Sequence, residues 1–111
     1  MTRRDKIERM LQDEPNDAFL HFGLAMELVK EGMTDKAITQ FERVLAIDPL
    51  YTAAHHHLGN ALIAAGRVEA ARGVLSTGVD AARQIGNAHA EGEMLALLEG
   101  LSGSAVEPRS R

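Results

Sequence analysis

Residues 24–49 read LAMELVKEGMTDKAITQFERVLAIDP, and residues 58–83 read LGNALIAAGRVEAARGVLSTGVDAAR. Laid over one another at an offset of 34 positions they agree in kind: Leu24 falls on Leu58, Ala25 on Gly59, Leu28 on Leu62, Gly32 on Gly66, Ala37 on Ala71 and Phe41 on Leu75. Within and around the first copy, apolar residues recur at spacings of three and four, which gathers them on one side of a helix; a strand would alternate by two. Phe19, Phe22, Met26 and Val29 form one stripe, Leu24, Ala25 and Leu28 an adjoining stripe, and Ile38, Phe41, Val44 and Leu45 a third. Gly32 and Gly66 stand between apolar runs, where a helix must end and the chain turn back. A two-helix unit that recurs at this period is the mark of a repeat architecture, in which each unit buries its faces only against its neighbours.

Pro15 and Pro49 add two further boundaries, because proline disrupts a helix interior. The pattern predicts six helices, at about 4–12, 17–31, 34–47, 52–65, 68–84 and 87–101, with Asp17, Thr34 and Asn87 as N-caps. Residues 102–111, SGSAVEPRSR, have little to bury and are expected to form a disordered tail behind a single domain spanning 1–101.

Composition narrows the function. A chain of 111 residues, 45% hydrophobic, can bury a modest core; with 4% aromatics and no Trp, that core must be largely aliphatic. There is no Cys, which excludes disulfides, thiolate catalysis and cysteine zinc sites. The net charge of -4 gives no footing for nucleic acid, since the one basic spot, Arg3-Arg4 with Lys6 and Arg9, is interrupted by Asp5 and Glu8. No stretch approaches the roughly 18 apolar residues of a membrane span, and the first residues run into an amphipathic pattern instead of a signal sequence. A cytoplasmic protein without a membrane partner is expected.

The matched positions have physical reasons. Ala25, Gly59, Ala37 and Ala71 are small where two helices must approach closely, Phe41 and Leu75 fill the space between a helix pair and its neighbour, and Pro49 stops the second helix before the next pair begins. Leu24-Ala25-x-x-Leu28, Gly32, Ala37, Phe41 and Pro49, followed by Leu58-Gly59-x-x-Leu62, Gly66, Ala71 and Leu75, resemble the tetratricopeptide-repeat (TPR) family, in its small bacterial type, over roughly residues 15–85. The resemblance implies an all-α helical-hairpin solenoid. Ile7 and Leu11, followed by Pro15, resemble the second helix of a truncated repeat. The expected order is therefore a half-repeat, two full repeats at about 18–51 and 52–85, and a capping helix at about 87–101.

Three departures from the family pattern bear on this layout. The family usually has a large aromatic three residues before the Leu, where His21 and His55 stand here. Arg83 takes the place of Pro49 in the second copy, so that helix can run on towards Ile85. A third copy would begin near Gly86, put His89 in phase with His21 and His55, and put Gly92 and Glu93 at the Leu-Ala positions. Glutamate fits badly at a close helix contact, so 87–101 reads as a cap and not as a full repeat.

Chemistry is scarce. In His55-His56-His57 successive side chains point about 100° apart on a helix, whereas metal pairs need a spacing of three or four. His89 and Glu93 have that spacing but no certain third ligand. There is no G-x-S-x-G, H-E-x-x-H or P-loop, and Glu27, Glu31, Glu42 and Glu69 most simply solvate helix faces. No metal, cofactor or catalytic residue is expected.

By the resemblance, the first helix of each pair lines a concave surface, carrying Phe19, Phe22, Met26, Val29 and Lys30 and then Ala53, His56, Asn60, Ile63 and Ala64. One subclass of the family grips the free carboxylate of chaperone tails there. Phe22 and Met26 stand where its first Lys and Asn would be, and Asn60 alone matches. The expected function is the binding of a protein or peptide partner on a mostly apolar concave face made by Phe19, Phe22, Met26, Val29, Lys30, His56, Asn60 and Ile63. Flexible Met26 suits a helical or extended apolar segment. The alternative is a homodimer that buries the same face.

Overall fold

The structure, a computed structural model, describes the backbone of residues 1–106 and the side chains of residues 1–101. Its helices are α1 (Arg3–Asp13), α2 (Ala18–Lys30), α3 (Thr34–Ile47), α4 (Thr52–Ala64), α5 (Val68–Ile85) and α6 (Ala88–Val106), with no strand among the described residues. Helices α2 and α3 pack as one hairpin and α4 and α5 as a second; α1 lies on α2, and α6 lies on α5 and α4. Stacking in one direction makes an elongated body, 54 × 31 × 19 Å, as a solenoid requires.

The turns inside the hairpins are built alike. Gly32 (φ 77°) and Gly66 (φ 78°) take the left-handed conformation that an L side chain resists. Their N–H groups donate to the carbonyls of Val29 and Ile63 (3.0 Å each), and the next residues, Met33 and Arg67, donate to Leu28 (2.9 Å) and Leu62 (2.8 Å). This closes the last carbonyls of α2 and α4 within two residues. It also moves one expected cap: Met33 occupies the N-cap of α3 and no side chain caps it, so Thr34 is the first helical residue. Asp17 caps α2 by accepting from the Leu20 N–H (3.0 Å), and Asn87 accepts likewise from Ala90 (3.0 Å).

The small residues meet where the pattern required it. Ala25, Ala37 and Ala71 are wholly buried, and a Cβ added to Gly59 would stand 2.5 Å from Leu75 Cδ2. Phe41 and Leu75 are likewise fully enclosed. One core runs from Ile7 in α1 to Ala71 in α5; a second joins Leu75, Val79 and Ala82 of α5 to Met94 of α6, with Ile63 and Leu101 touching both.

The C-terminal end departs from the expected register. With Arg83 in proline's place, α5 runs for 18 residues against 14 for α3. Thr52 begins α4 34 positions after Ala18 begins α2 (52 − 18), but Ala88 begins α6 36 positions after Thr52 (88 − 52). Two positions of slip put Met94 where Leu24 and Leu58 stand, and Met94 is fully buried. His89 leaves the phase of His21 and His55, and its side chain is 85% exposed. Leu95 falls at the place of Ala25 and Gly59, where no later helix packs among the described residues, and it is exposed. Helix α6 also continues past residue 101 to Val106, through the first five positions of the expected tail; the remainder of that tail, 107–111, lies outside the described residues.

Candidate interaction surface

His21 and His55 replace the expected aromatics with a polar tie. Each is buried in the first turns of its hairpin and bonds through Nε2 to a proline carbonyl six residues upstream: His21 to Pro15 (2.8 Å), His55 to Pro49 (2.9 Å). A carbonyl only accepts, so Nε2 donates, and Nδ1 of the uncharged ring is left as an acceptor. Gln40 Oε1 lies 2.8 Å from Nδ1 of His21, and the same amide turned over presents its NH2 to an uncharged ring. In the second repeat Val74 stands 34 positions after Gln40 (74 − 40), and Nδ1 of His55 is buried without a partner. Val74→Gln is therefore expected to stabilise the fold by about 1 kcal/mol, the net worth of one hydrogen bond. Gln40→Val should cost about 1–3 kcal/mol by orphaning His21. Urea unfolding of both variants tests the assignment; a neutral Gln40→Val together with a destabilising Val74→Gln refutes it.

The first helices of the hairpins, with α6, line one long side of the molecule. Between α2 and α4 a cleft of about 130 Å³ is bounded by Val29, His57, Asn60, Ala61 and Ala64. Between α4 and α6 a wider cleft of about 410 Å³ is bounded by Ala53, His56, His57, His89 and Glu93. His57 stands in the wall shared by both. Burial holds its imidazole below the ordinary value, neighbouring His56 pushes the same way, and Glu93 opposes them. Glu93 reaches towards two imidazoles, with His89 Nε2 at 3.4 Å and His56 Nδ1 at 3.8 Å. Among the described residues no three His, Asp or Glu side chains come together as a metal-holding group.

The eight residues expected on the concave face are not gathered into one patch. Val29 and Asn60 share the narrower cleft and His56 lines the wider one. Lys30 is exposed and pairs with Glu27 (3.5 Å). Phe22 is half-buried in an aromatic cluster, stacked on Tyr51 (5.1 Å between centroids) and tilted against Phe41 (5.9 Å) and His57 (5.7 Å). Met26 and Ile63 are also half-buried against the core. Phe19, 71% exposed, lies apart at the N-terminal end, where it walls a groove of about 180 Å³ with Arg3, Lys6, Ile7 and Met10 of α1 and Leu20 and Gly23 of α2.

Sequence reasoning passed over His57, His89 and Glu93 as parts of this side. For His89 and Glu93 the available signals were their spacing of four, read above only for metal, and the longer α5 that Arg83 permits. Glu27, read as a solvated residue, is largely enclosed, with Arg3 of α1 at 3.0 Å, and so ties α1 to α2.

The sequence model of the tetratricopeptide repeat matches residues 28–92. A TPR repeat-containing protein of Pseudomonas aeruginosa is 34% identical over 95 residues, which covers 86% of this chain and 90% of the relative. The solution structure of a protein from Bordetella parapertussis superposes with a TM-score of 0.83 at 24% identity, covering 96% of this chain and 92% of that one. The crystal structure of a tetratricopeptide repeat domain protein from Salinibacter ruber superposes with a TM-score of 0.74 at 26% identity, covering 78% and 97%. Among the described residues no helix is long and apolar enough to cross a membrane.

Proposed function

The chain belongs to the tetratricopeptide repeat family, and on that footing we propose that it holds a peptide segment of a protein partner along the side lined by α2, α4 and α6. The family and its fold serve in general as protein-interaction modules and not as enzymes. The observation that carries the reading is the pair of adjoining clefts that meet at His57. Val29, Ala53 and Ala64 offer shallow apolar contact. Asn60 and His56 offer hydrogen-bonding groups for a peptide backbone, and Lys30 offers a charge at one end. Phe22, Met26 and Ile63 are half-buried against the core and line neither cleft. A segment bound there would be extended and of mixed polarity, with small apolar side chains entering the clefts. A symmetric dimer through the same side has less support, because those three large apolar residues are already half covered within the chain.

The test is selection of a displayed peptide library on the wild-type protein, followed by binding to His56→Ala/Asn60→Ala. Neither residue belongs to the core, so the double variant should keep its helical spectrum and lose at least tenfold in affinity, about 1.4 kcal/mol. Selected peptides that bind wild type and variant equally would overturn the assignment of this side.

A further inference from the structure

The seat in which α2 lies inside the molecule recurs, open, at the N-terminal end. Helix α2 packs on α3, in one core with Ala37, Phe41 and Val44, and touches α4 where Phe22 meets His57. Thirty-four positions upstream of these stand Arg3, Ile7 and Met10 of α1, and the groove they form with α2 is the one walled by exposed Phe19. At the other end α6 corresponds to α2 and α4, but no further helix covers its outer face among the described residues. Helix α1 is thus the second helix of a hairpin lacking its first, and α6 is the first helix of a hairpin lacking its second.

The two ends fit in size and charge. Two lining positions are smaller than in the internal seats, Ile7 where Phe41 stands and Gly23 where His57 stands, while Arg3, Met10 and Phe19 replace the smaller Ala37, Val44 and Ala53. The incoming residue is larger: Leu95, 41% exposed, stands where the internal hairpins have Ala25 and Gly59. Around Leu95 the exposed face of α6 is otherwise Gly92, Ala96 and Gly100, which permit close approach, and exposed Glu99. Helix α6 carries Glu91, Glu93 and Glu99 and no Lys or Arg. The groove rim carries Lys6 and Arg3, whose guanidinium is held out at the edge by Glu27 (3.0 Å) with its side chain 72% exposed.

We propose that the occupant of the α1–α2 groove is α6 of a second copy of this chain, inserted with Leu95 as its anchor. Each junction then completes one hairpin from α6 of one copy and α1 of the next. The contact is heterologous, so it extends head to tail instead of closing as a two-fold pair. It uses the ends of the solenoid and leaves the side lined by α2, α4 and α6 open; it stands or falls independently of the peptide-binding reading.

Analytical ultracentrifugation of wild type, Phe19→Glu and Leu95→Glu tests it. Both substituted residues are exposed, so both variants should retain the wild-type helical spectrum, and circular dichroism checks this. Wild type should show a weight-average mass that rises with concentration beyond twice the monomer mass. Each variant alone, with one end blocked, should stay monomeric. An equal mixture should form a one-to-one dimer and nothing larger, because Phe19→Glu keeps an intact α6 and Leu95→Glu keeps an intact groove. A wild type that stays monomeric at every concentration overturns the proposal. So does a wild type that stops at a dimer which Leu95→Glu leaves unchanged, or a mixture that gives no heterodimer. Should either variant lose its helical spectrum, Met10→Glu for the groove or Ala96→Glu for α6 takes its place in the same mixture, with the same outcomes required.

Discussion

A chain ending at Asn87, and so lacking α6, is expected to lose about 3–6 kcal/mol of stability. The figure is the cost of returning two large core side chains to water, at roughly 1.5–3 kcal/mol each. Those side chains are Leu75 and Val79, which face Met94 in the second core and are almost fully buried in the intact protein. A small domain has roughly 5–15 kcal/mol in total, so the truncated chain should unfold at a much lower urea midpoint. Met94→Ala isolates the main contact, and it should cost about 2–5 kcal/mol through the cavity it leaves. If the truncated chain melts like the full one, α6 is not what covers the second repeat.

The second large effect lies within α5, where two glycines should answer in opposite directions. Gly73 is open: a Cβ there meets nothing within 4 Å. Gly73→Ala should therefore stabilise by up to about 1 kcal/mol, the difference in helix propensity. At Gly78 a Cβ would stand 2.5 Å from Met94 Sδ and 2.6 Å from His55 Cβ. The thioether can swing away, but a Cβ moves only with its backbone, so α4 must shift from α5. Gly78→Ala should cost about 1–3 kcal/mol by overpacking, and Met94→Ala in the same chain should not restore the loss. Thermal unfolding of the three variants decides the matter; the same sign at Gly73 and Gly78 would mean that α5 does not face α4 as described.

Much of this was legible in the sequence. The hairpins followed from the 34-position match, and α3 begins and ends where the apolar spacing put it. The small residues at 25, 37, 59 and 71 could be read because a close helix crossing admits nothing larger. The end of the chain was less legible. Arg83 announced a longer α5, but its consequence was a two-residue slip, which moved His89 out of phase with His21 and His55. A strict period hides such a slip, since it matches whatever residues fall at the expected number. The interaction surface was the least legible part. A stripe such as Phe19, Phe22, Met26 and Val29 records which residues share a helix face, not which neighbour covers each one. Phe19 went to the α1 groove, Phe22 into an aromatic cluster, and Val29 to a cleft shared with α4. Those destinations depend on how three helices cross, and no single helix encodes that. The orphaned Nδ1 of His55 is different in kind: comparing Gln40 with Val74 across the repeat would have exposed it.

The stacking of Tyr51 on Phe22 gives the protein a built-in optical reporter. With one Tyr and no Trp, all intrinsic emission excited near 280 nm comes from a single ring at the junction between the hairpins. Burial, aided by Asp48 and Asp17, raises that phenol above its ordinary 10.0, so its ionisation in alkali also reports on whether the junction is closed. Fluorescence would thus follow one joint of the solenoid while circular dichroism followed the whole helix content. Where helix signal is lost before the fluorescence changes, the ends are opening on their own while the middle holds.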